Sequence, residues 1–397
     1  MELSKYPLMK NISFITSGRA DYDLLSPLMN RVNASKNLNL QLVVSGAHFM
    51  DNQGLTVDRI IKDGFEIHKE IKFAEGSTRN QIIRNLSSCI YDYSDALVDL
   101  NPGAVVLLGD RYEIFGAAIS AFINNIPIIH LHGGELTLSA QDDAFRHSIT
   151  KMSNFHFVAN ETYRKRVIQL GEYPDRVFSV GPLVIDNLLT DDFYDKKEVV
   201  ELLNFSFFQR NLLITFHPET LKQEKNRSNF NQILAVLGDL ENTGFIFTAP
   251  NIDHEGDLIR AQIEDFVKEH PEHSLFVNSM GSKLYLSTMM FVDCVLGNSS
   301  SGVIEAPLLK IPTLNLGDRQ TGRVKFDSVI DCGINKIEIK KSLKLILSRA
   351  FRKKIKSFSE PLLATSPSEK IYNEITNFNF HEETTKKFYD LDLEKNE

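Results

Sequence analysis

The stretch Val105–His147, VVLLGDRYEIFGAAISAFINNIPIIHLHGGELTLSAQDDAFRH, indicates both the fold and the place of the chemistry. It contains two short apolar runs, Val105–Leu108 and Ile126–Leu131, joined by a helical pattern, which is typical of parallel strands connected by a helix. Each run is followed by polar residues that include a carboxylate. Because ligands of open parallel sheets bind at the carboxyl ends of the strands, this stretch predicts a functional site at that edge.

The same alternation continues on both sides of this stretch. Apolar runs fit strands at 11–16, 40–45, 155–159 and 176–180, and, after a polar and acidic stretch at 186–210, at 212–216, 245–248, 274–277, 294–297 and 313–316. A pattern without Gly or Pro at 79–100 predicts a helix that Ser77 or Thr78 caps. The sequence therefore predicts an α/β protein with two Rossmann-like, doubly wound domains that face a cleft.

The polar stretch supplies the domain boundary. We predict an N-terminal Rossmann-like domain at 1–188, a C-terminal Rossmann-like domain at 189–369, and a helix and tail at 370–397 that pack back on the first domain. The tail from Lys386 onward is charged and has little apolar surface to bury, so we expect it to fray.

Bulk composition excludes several classes of partner. The 397 residues carry a net charge of −8, which argues against a broad basic surface for nucleic acid. No apolar run approaches the roughly 20 residues of a membrane span. The three cysteines, Cys89, Cys294 and Cys332, form no CxxC pattern and are expected to be reduced thiols. These features predict a cytoplasmic protein without nucleic-acid or membrane partners.

Two loops offer phosphate-binding groups. Gly297–Gly302, GNSSSG, follows a predicted strand and precedes a helical run at 303–309, so its N–H groups and hydroxyls suit a phosphate. Ordinary capping of the helix by serine is the alternative. Gly18–Asp21, GRAD, occupies the Rossmann-loop position without GxGxxG, and Arg19 could hold a phosphate or simply lie on the surface beside an aspartate cap.

Three carboxylates, Asp110, Glu135 and Asp143, are expected on one rim of the sheet. Mutual repulsion would raise the pKa of at least one of them, which would supply both an acid and a base. The alternative makes them ion-pair partners of Arg111 and Arg146, or helix caps.

Histidines near this rim suggest a metal as a further alternative. His130 and His132 alternate along a strand and His147 follows, but no set of four ligands is completed, so we predict no metal. His217 ends the first strand of the second half and suits either a phosphate or a packed structural role.

These motifs together resemble one enzyme family. TSGRADYDLL, LLGDRYE, HLHGGELT, DDAFRH, VGPLVID, HPET, GNSSSGVIEA and NLGDRQTGR are similar in order and spacing to the UDP-N-acetylglucosamine 2-epimerases over about residues 11–330. HGGE, in place of the HxEAG of the non-hydrolysing branch, favours the hydrolysing branch. The resemblance implies the two-domain architecture of B-type glycosyltransferases.

The resemblance also implies roles for individual residues. Asp110, Glu135 and Asp143 match the catalytic carboxylates, with His132 beside them. The positions that match nucleotide contacts are Arg19, Asp23 and Arg111 in the first half and His217, Asn251, Ser299, Ser300, Glu305 and Arg319 in the second. No cofactor is implied.

The implied reaction converts UDP-N-acetylglucosamine to N-acetylmannosamine and UDP, by elimination of UDP to a glycal and rehydration, for sialic- or legionaminic-acid-type biosynthesis. The same chemistry on UDP-N,N'-diacetylbacillosamine or a GDP-linked amino sugar is an alternative. A glycosyltransferase and a non-catalytic sugar-nucleotide sensor are alternatives of other classes. The resemblance favours a homodimer or homotetramer.

Overall fold

The computed structural model describes residues 9–50, 55–74, 78–137, 141–190, 192–218, 226–250, 256–357, 365–380 and 385–391. The chain divides into two compact units. Unit 1 comprises Met1–Glu135, Asp142–Leu189 and Ala364–Glu397, and unit 2 comprises Leu136–Gln141 and Thr190–Leu363.

Unit 1 is built on a parallel sheet. Its strands are β1 Lys10–Thr16, β2 Leu38–Ser45, β3 Lys69–Ile71, β4 Ala104–Leu108, β5 Ile128–Leu131, β6 Phe155–Val158 and β7 Val177–Ser179. Its helices are α1 Arg19–Asn33, α2 Val57–Lys62, α3 Arg79–Leu100, α4 Tyr112–Ile123, α5 Asp142–Met152, α6 Glu161–Gln169, α7 Val184–Leu188 and, late in the chain, α15 Pro367–Asn377. The strand order is β3-β2-β1-β4-β5-β6-β7.

Unit 2 repeats this plan. Its strands are β8 Arg210–Thr215, β9 Thr243–Thr248, β10 Ser274–Val277, β11 Cys294–Gly297, β12 Thr313–Leu316 and β13 Val329–Cys332. Its helices are α8 Lys196–Leu203, α9 Asn226–Leu237, α10 Gly256–Glu269, α11 Gly281–Phe291, α12 Glu305–Leu308, α13 Lys336–Ile346 and α14 Arg349–Lys356. The parallel strands lie in the order β10-β9-β8-β11-β12-β13.

In both sheets the strand order reverses beside the first strand, between β1 and β4 and between β8 and β11. This is the order of dinucleotide-binding folds, whose ligands bind at the carboxyl ends of the strands near that reversal. The predicted fold class, two Rossmann-like α/β halves, is confirmed.

Local sequence explains the regular elements. Every residue of β4, AVVLL, is buried, as a central parallel strand requires. Helix α3 starts where predicted, because the Thr78 hydroxyl accepts the N–H of Gln81 at 3.2 Å. It ends at Asn101, whose left-handed backbone (φ 42°) stops the helix.

The helix predicted at 303–309 is present but shorter. The chain forms a 3-10 turn at Ser300–Gly302 and then α12, which has only four residues, EAPL. Pro307 has no N–H to donate to the carbonyl of Val303, so an α-helix that begins at Val303 is disfavoured. Two edge strands, β3 and β13, were not predicted because each is short and partly polar.

The end of the described chain belongs to unit 1. Ile371 and Ile375 of α15 are fully buried, and Arg31 of α1 donates from Nε to the Ser368 hydroxyl at 2.9 Å. The expected fraying of the tail is wrong for the described residues 385–391, because the Lys386 ammonium is bound by backbone carbonyls of unit 1. Across the described ranges, no helix is both long enough and apolar enough to cross a membrane.

Candidate active site

The predicted acids of unit 1 gather around one buried arginine, Arg146 of α5. Its guanidinium pairs with the Asp110 carboxylate after β4, lies 3.5 Å from Oδ1 of Asp143, and donates to the backbone carbonyl of Glu135 at 2.9 Å. Only 2% of Arg146 is exposed. One side chain therefore brings together the segments that carry all three acids.

Arg146 also weakens the repulsion that the sequence predicts among the three carboxylates. Its positive charge lies between Asp110 and Asp143 and offsets the repulsion expected among the carboxylates. Arg111, the other arginine considered as a partner, forms a two-pronged pair with the buried Glu113 instead, at 3.1 and 3.2 Å. The ion-pair alternative thus holds for Arg146, and it coexists with the clustering of the acids.

Glu135 is buried and faces His132. The distance from His132 Nδ1 to Glu135 Oε1 is 3.3 Å, and His132 Nε2 accepts the N–H of Leu183 at 3.2 Å. Because Nε2 accepts, the neutral ring carries its hydrogen on Nδ1. Nδ1 is therefore the nitrogen beside Glu135 Oε1, and the two atoms are close without meeting hydrogen-bond geometry.

The HGGE turn needs its second glycine. His132 has a left-handed backbone with φ 64°, and Gly134 follows with φ 78°. A Cβ on Gly134 would lie 2.5 Å from the Tyr163 carbonyl oxygen, so no side chain fits there. This turn returns the chain sharply and positions the Glu135 side chain at the end of β5.

His130 is a structural residue of this rim. Its Nε2 donates to the Gly109 carbonyl at 2.8 Å, and its Nδ1 lies 3.2 Å from the Thr150 hydroxyl. Burial lowers the pKa of His130 to about 3, so the ring is neutral. It fixes the turn at Gly109, immediately before Asp110. In the part of the chain that the structure describes, no three or more His, Cys, Asp and Glu residues form a potential metal site.

The neutral state of His130 predicts how the free energy of unfolding depends on pH in the acid range. The pKa of His130 is about 3 in the folded protein and 6.5 in the unfolded chain. Between pH 6.5 and pH 3 this imidazole therefore binds a proton in the unfolded chain and not in the folded protein. Stability is therefore lost as the pH falls from 6.5 towards 3. In His130→Asn we expect the slope of unfolding free energy against pH to fall by up to about 1.4 kcal/mol per pH unit. Urea unfolding at several pH values measures this slope. An unchanged slope would contradict it.

The loop after β1 is organised by Asp21, whose role was underestimated from the sequence. Gly18 is the N-cap of α1, and Asp21, three residues later, accepts the N–H of Ser17 at 2.7 Å and of Gly18 at 2.9 Å. The spacing matches a capping-box pattern and could have revealed this role. The loop leads into Arg19, the first residue of α1 and partly exposed.

Asp23 has a partner within unit 1. It is buried and its Oδ1 pairs with Nη1 of Arg59 at 2.7 Å. Burial raises the pKa of Asp23, and the opposite charge of Arg59 works against that rise. Asp23 thus stabilises the packing of α1 against α2, whatever its relation to a ligand.

In unit 2, the end of β11 approaches the end of β8 closely. A Cβ on Gly297, whose φ is 138°, would lie 1.9 Å from the Thr215 carbonyl oxygen, so only glycine fits. The next residue, Asn298, accepts the His217 N–H at 2.7 Å and donates to the His217 carbonyl at 2.8 Å. Arg319 in turn donates to the Asn298 carbonyl at 3.2 Å. Two predicted nucleotide positions, His217 and Arg319, therefore both contact Asn298 at this edge of the sheet.

The three serines of GNSSSG differ in their contacts. The Ser299 hydroxyl accepts the N–H of Ser301 at 3.4 Å, so the capping alternative is present. The Ser301 hydroxyl lies 2.6 Å from the Tyr285 hydroxyl, whereas Ser300 begins the 3-10 turn and is partly exposed. Glu305 begins α12, which is too short to supply a strong helix dipole.

His217 and Asn251 are two further positions of unit 2 that were predicted to contact the nucleotide. His217 is buried, and burial, followed by the nearby Arg319 charge, lowers its pKa well below the ordinary value. A neutral ring can donate one hydrogen bond and accept another. Asn251 lies outside the described residues.

The sequence profile described as UDP-N-acetylglucosamine 2-epimerase matches residues 30–376 of this chain. The chain belongs to this family. An Escherichia coli protein named "Polysialic acid biosynthesis protein P7" is 38% identical over 355 residues, which cover 89% of this chain and 90% of that protein. A Campylobacter jejuni protein named "GDP/UDP-N,N'-diacetylbacillosamine 2-epimerase (hydrolyzing)" is 38% identical over 330 residues, covering 83% and 86% of the two chains.

Solved epimerase structures share the fold. The Methanocaldococcus jannaschii UDP-GlcNAc 2-epimerase in complex with UDP-GlcNAc and UDP has a TM-score of 0.78 and 18% identity, and the match covers 92% of this chain and 99% of that one. The Neisseria meningitidis enzyme bound to UDP-GlcNAc has a TM-score of 0.76 and 17% identity, with coverage of 92% and 99%. At these sequence identities the similarity shows a shared fold and nothing more.

Proposed function

We propose that this epimerase is a hydrolysing enzyme that acts on a UDP-linked N-acetyl amino sugar, in the first place UDP-N-acetylglucosamine. The products would be N-acetylmannosamine and UDP. The observation that carries the proposal is the contact of the buried Arg146 with the Asp110 carboxylate, the Asp143 carboxylate and the Glu135 carbonyl. A glycosyltransferase of similar architecture needs no such group of acids.

The first step of the proposed reaction is an elimination. Glu135 takes the proton from C2 of the sugar while the bond from C1 to the UDP oxygen breaks, and a C1–C2 double bond forms. The products of this step are a 2-acetamidoglycal, UDP and a protonated Glu135. His132, whose Nδ1 lies 3.3 Å from Glu135 Oε1, is the proposed residue that orients Glu135 for this transfer.

The second step is a hydration. A proton from the solvent adds to C2 on the opposite face and water adds to C1 with loss of its own proton. Glu135 returns the proton that it took to the solvent, so one water molecule is consumed overall. Asp110, held against Arg146, is the proposed acceptor of the water proton, with Asp143 positioning it. The released sugar has the inverted configuration at C2.

The proposal assigns a separate role to the residues of each unit. Unit 1 residues carry the sugar chemistry, with Arg19 at the nucleotide. Unit 2 residues hold UDP, with Ser300, Arg319 and Glu305 as contacts to phosphate and ribose. Arginine groups that neutralise the leaving diphosphate lower the barrier of the elimination. The mechanism needs no cofactor or metal, so we expect full activity in excess chelator.

A second substrate is favoured by a specific observation. The relative named as a diacetylbacillosamine 2-epimerase is 38% identical to this chain, whereas a Neisseria meningitidis serogroup B protein named UDP-N-acetylglucosamine 2-epimerase is 29% identical. The same elimination applies to UDP-N,N'-diacetylbacillosamine and to GDP-linked amino sugars. The name of the Escherichia coli relative, which mentions polysialic acid, supports the first substrate instead.

Nuclear magnetic resonance of separate incubations tests the proposal. UDP-N-acetylglucosamine and UDP-N,N'-diacetylbacillosamine are each followed with the enzyme in deuterated water. We expect free UDP and a C2-inverted sugar that carries deuterium at C2. An inverted sugar that stays attached to UDP would refute hydrolysis, and binding without any turnover of either would refute an enzymatic function.

We further propose that the protein is a cytoplasmic homodimer or homotetramer. Ile83, Tyr91 and Val98 lie on one side of α3 and are 62%, 69% and 62% exposed, an apolar face suited to self-association. The buried free thiols support a reducing compartment. In light scattering we expect an oligomer that Tyr91→Glu dissociates. The control Ile337→Glu, at an 82% exposed position of α13, should leave it intact. A wild-type monomer would contradict the proposal.

A further inference from the structure

A short strap at the end of the described chain, Lys386–Tyr389, binds to unit 1. The N–H of Tyr389 donates to the Gly171 carbonyl at 2.9 Å. The Phe388 ring covers Gly171, where a Cβ would lie 2.3 Å from the ring, and the Lys151 ammonium lies 5.0 Å from the ring centre. A backbone hydrogen bond, the packing of a ring on Gly171 and a cation–π contact therefore hold the strap on unit 1.

Lys386 of the strap binds the carboxyl end of α5. Its ammonium donates to the carbonyls of Thr150, Lys151 and Ser153 at 3.1, 2.7 and 2.6 Å, and it lies 2.7 Å from Oε2 of Glu172. Thr150 and Lys151 lie in the last turn of α5 and Ser153 follows its end, so a cation there complements the helix dipole.

The Glu172 carboxylate holds a small buried network at this end of the helix. It accepts from His156 Nε2 at 3.0 Å and pairs with the Lys151 ammonium at 2.7 Å, besides Lys386. Burial alone would raise the pKa of Glu172, but the His156 hydrogen bond and the lysines lower it to about 2. Burial lowers the pKa of Lys386 to about 8, against the opposing effect of Glu172, so the ammonium is mostly charged at neutral pH.

A continuous chain of contacts joins the strap to the acids. Lys386 holds the Thr150 carbonyl, the Thr150 hydroxyl lies 3.2 Å from His130, and His130 donates to the Gly109 carbonyl, the residue before Asp110. Helix α5 itself has eleven residues, about 16 Å, and carries Asp143 and Arg146 in its first half.

We propose that Lys386 is a positioning residue for the reaction, because it fixes the helix and the turn that carry Asp143, Arg146 and Asp110. This inference rests on the proposed function of the acid cluster. Lys386 itself lies at the far end of α5 and touches no proposed substrate atom. Its loss should therefore disturb turnover and leave the nucleotide sites of unit 2 unchanged.

Lys386→Met tests the proposal, with Lys386→Arg as the charge-preserving variant and exposed Lys387→Met as the matched control. In Lys386→Met we expect kcat to fall at least tenfold at 10 °C, where the variant is folded, with unchanged affinity for UDP in calorimetry. Lys386→Arg should recover part of kcat, and Lys387→Met should match the wild type. Unchanged kcat in folded Lys386→Met would overturn the proposal.

Hydrogen exchange of the ligand-free protein separates this inference from the proposed function. In Lys386→Met the amides of α5 should exchange at least tenfold faster, whereas those of the central strand β1 should not change. If the wild type turns over no sugar nucleotide, the proposed function fails and exchange alone decides the role of the strap. Unchanged protection of α5 would refute it.

Discussion

Glu135→Gln is expected to lower turnover by at least roughly 10³-fold while UDP affinity stays within about twofold of the wild type. The amide keeps the size and burial of the side chain beside His132, but it cannot take the C2 proton. The measurements are UDP release over time and calorimetric titration with UDP.

Deuterium incorporation sharpens this test. In deuterated water Glu135→Gln should also fail to exchange the C2 hydrogen of bound substrate, which separates loss of proton transfer from slow product release. Glu161→Gln, an exposed position on α6, is the control and should behave as the wild type. Loss of UDP affinity in Glu135→Gln would show that the residue serves nucleotide binding instead.

Arg146→Met should have the second large effect, on stability and turnover together. It would leave the Asp110 and Asp143 carboxylates near each other without the buried cation, and removal of one partner from a buried pair costs about 3–5 kcal/mol. We expect urea unfolding to register a loss of that size and turnover to fall by more than roughly 10³-fold. Arg146→Lys keeps the charge but lacks the planar guanidinium fork that spans these partners, so its loss should be intermediate.

Arg164→Met provides the matched control for Arg146. Arg164 also donates to backbone carbonyls of unit 1, those of Val177 and Pro174, both at 2.8 Å, but it lies away from the acids. It should lose some stability and keep its turnover per folded molecule. If Arg146→Met retained wild-type turnover, the acid cluster would not be the catalytic site.

The sequence predicts the central strands well because burial on both faces makes them continuous apolar runs. The predicted strands at 274–277, 294–297 and 313–316 coincide with β10, β11 and β12. The edge strand β3 reads KEI, which has no such pattern, and only pairing with β2 makes it a strand. Helix α12 was overestimated because apolar spacing does not register the effect of Pro307.

The acids of the site were predictable and their organisation was not. Parallel strand ends placed Asp110 and Glu135 on one edge, as topology requires. The choice between Arg111 and Arg146 as their partner depended on side-chain direction, because Arg111 turns towards Glu113. No sequence pattern indicated the role of Lys386, because its partners include backbone carbonyls more than 230 residues away in the sequence.

The division of unit 1 into separate segments has a consequence for protein synthesis. The chain leaves unit 1 after Leu189 and returns at Ala364, so α15 and the strap are made after the main segment of unit 2. At ordinary ribosome speeds that segment takes on the order of ten to thirty seconds. During this time α1 lacks the helix that covers it and α5 lacks its cap. Most of unit 1 is therefore made before the main segment of unit 2, and unit 1 can be completed only after it.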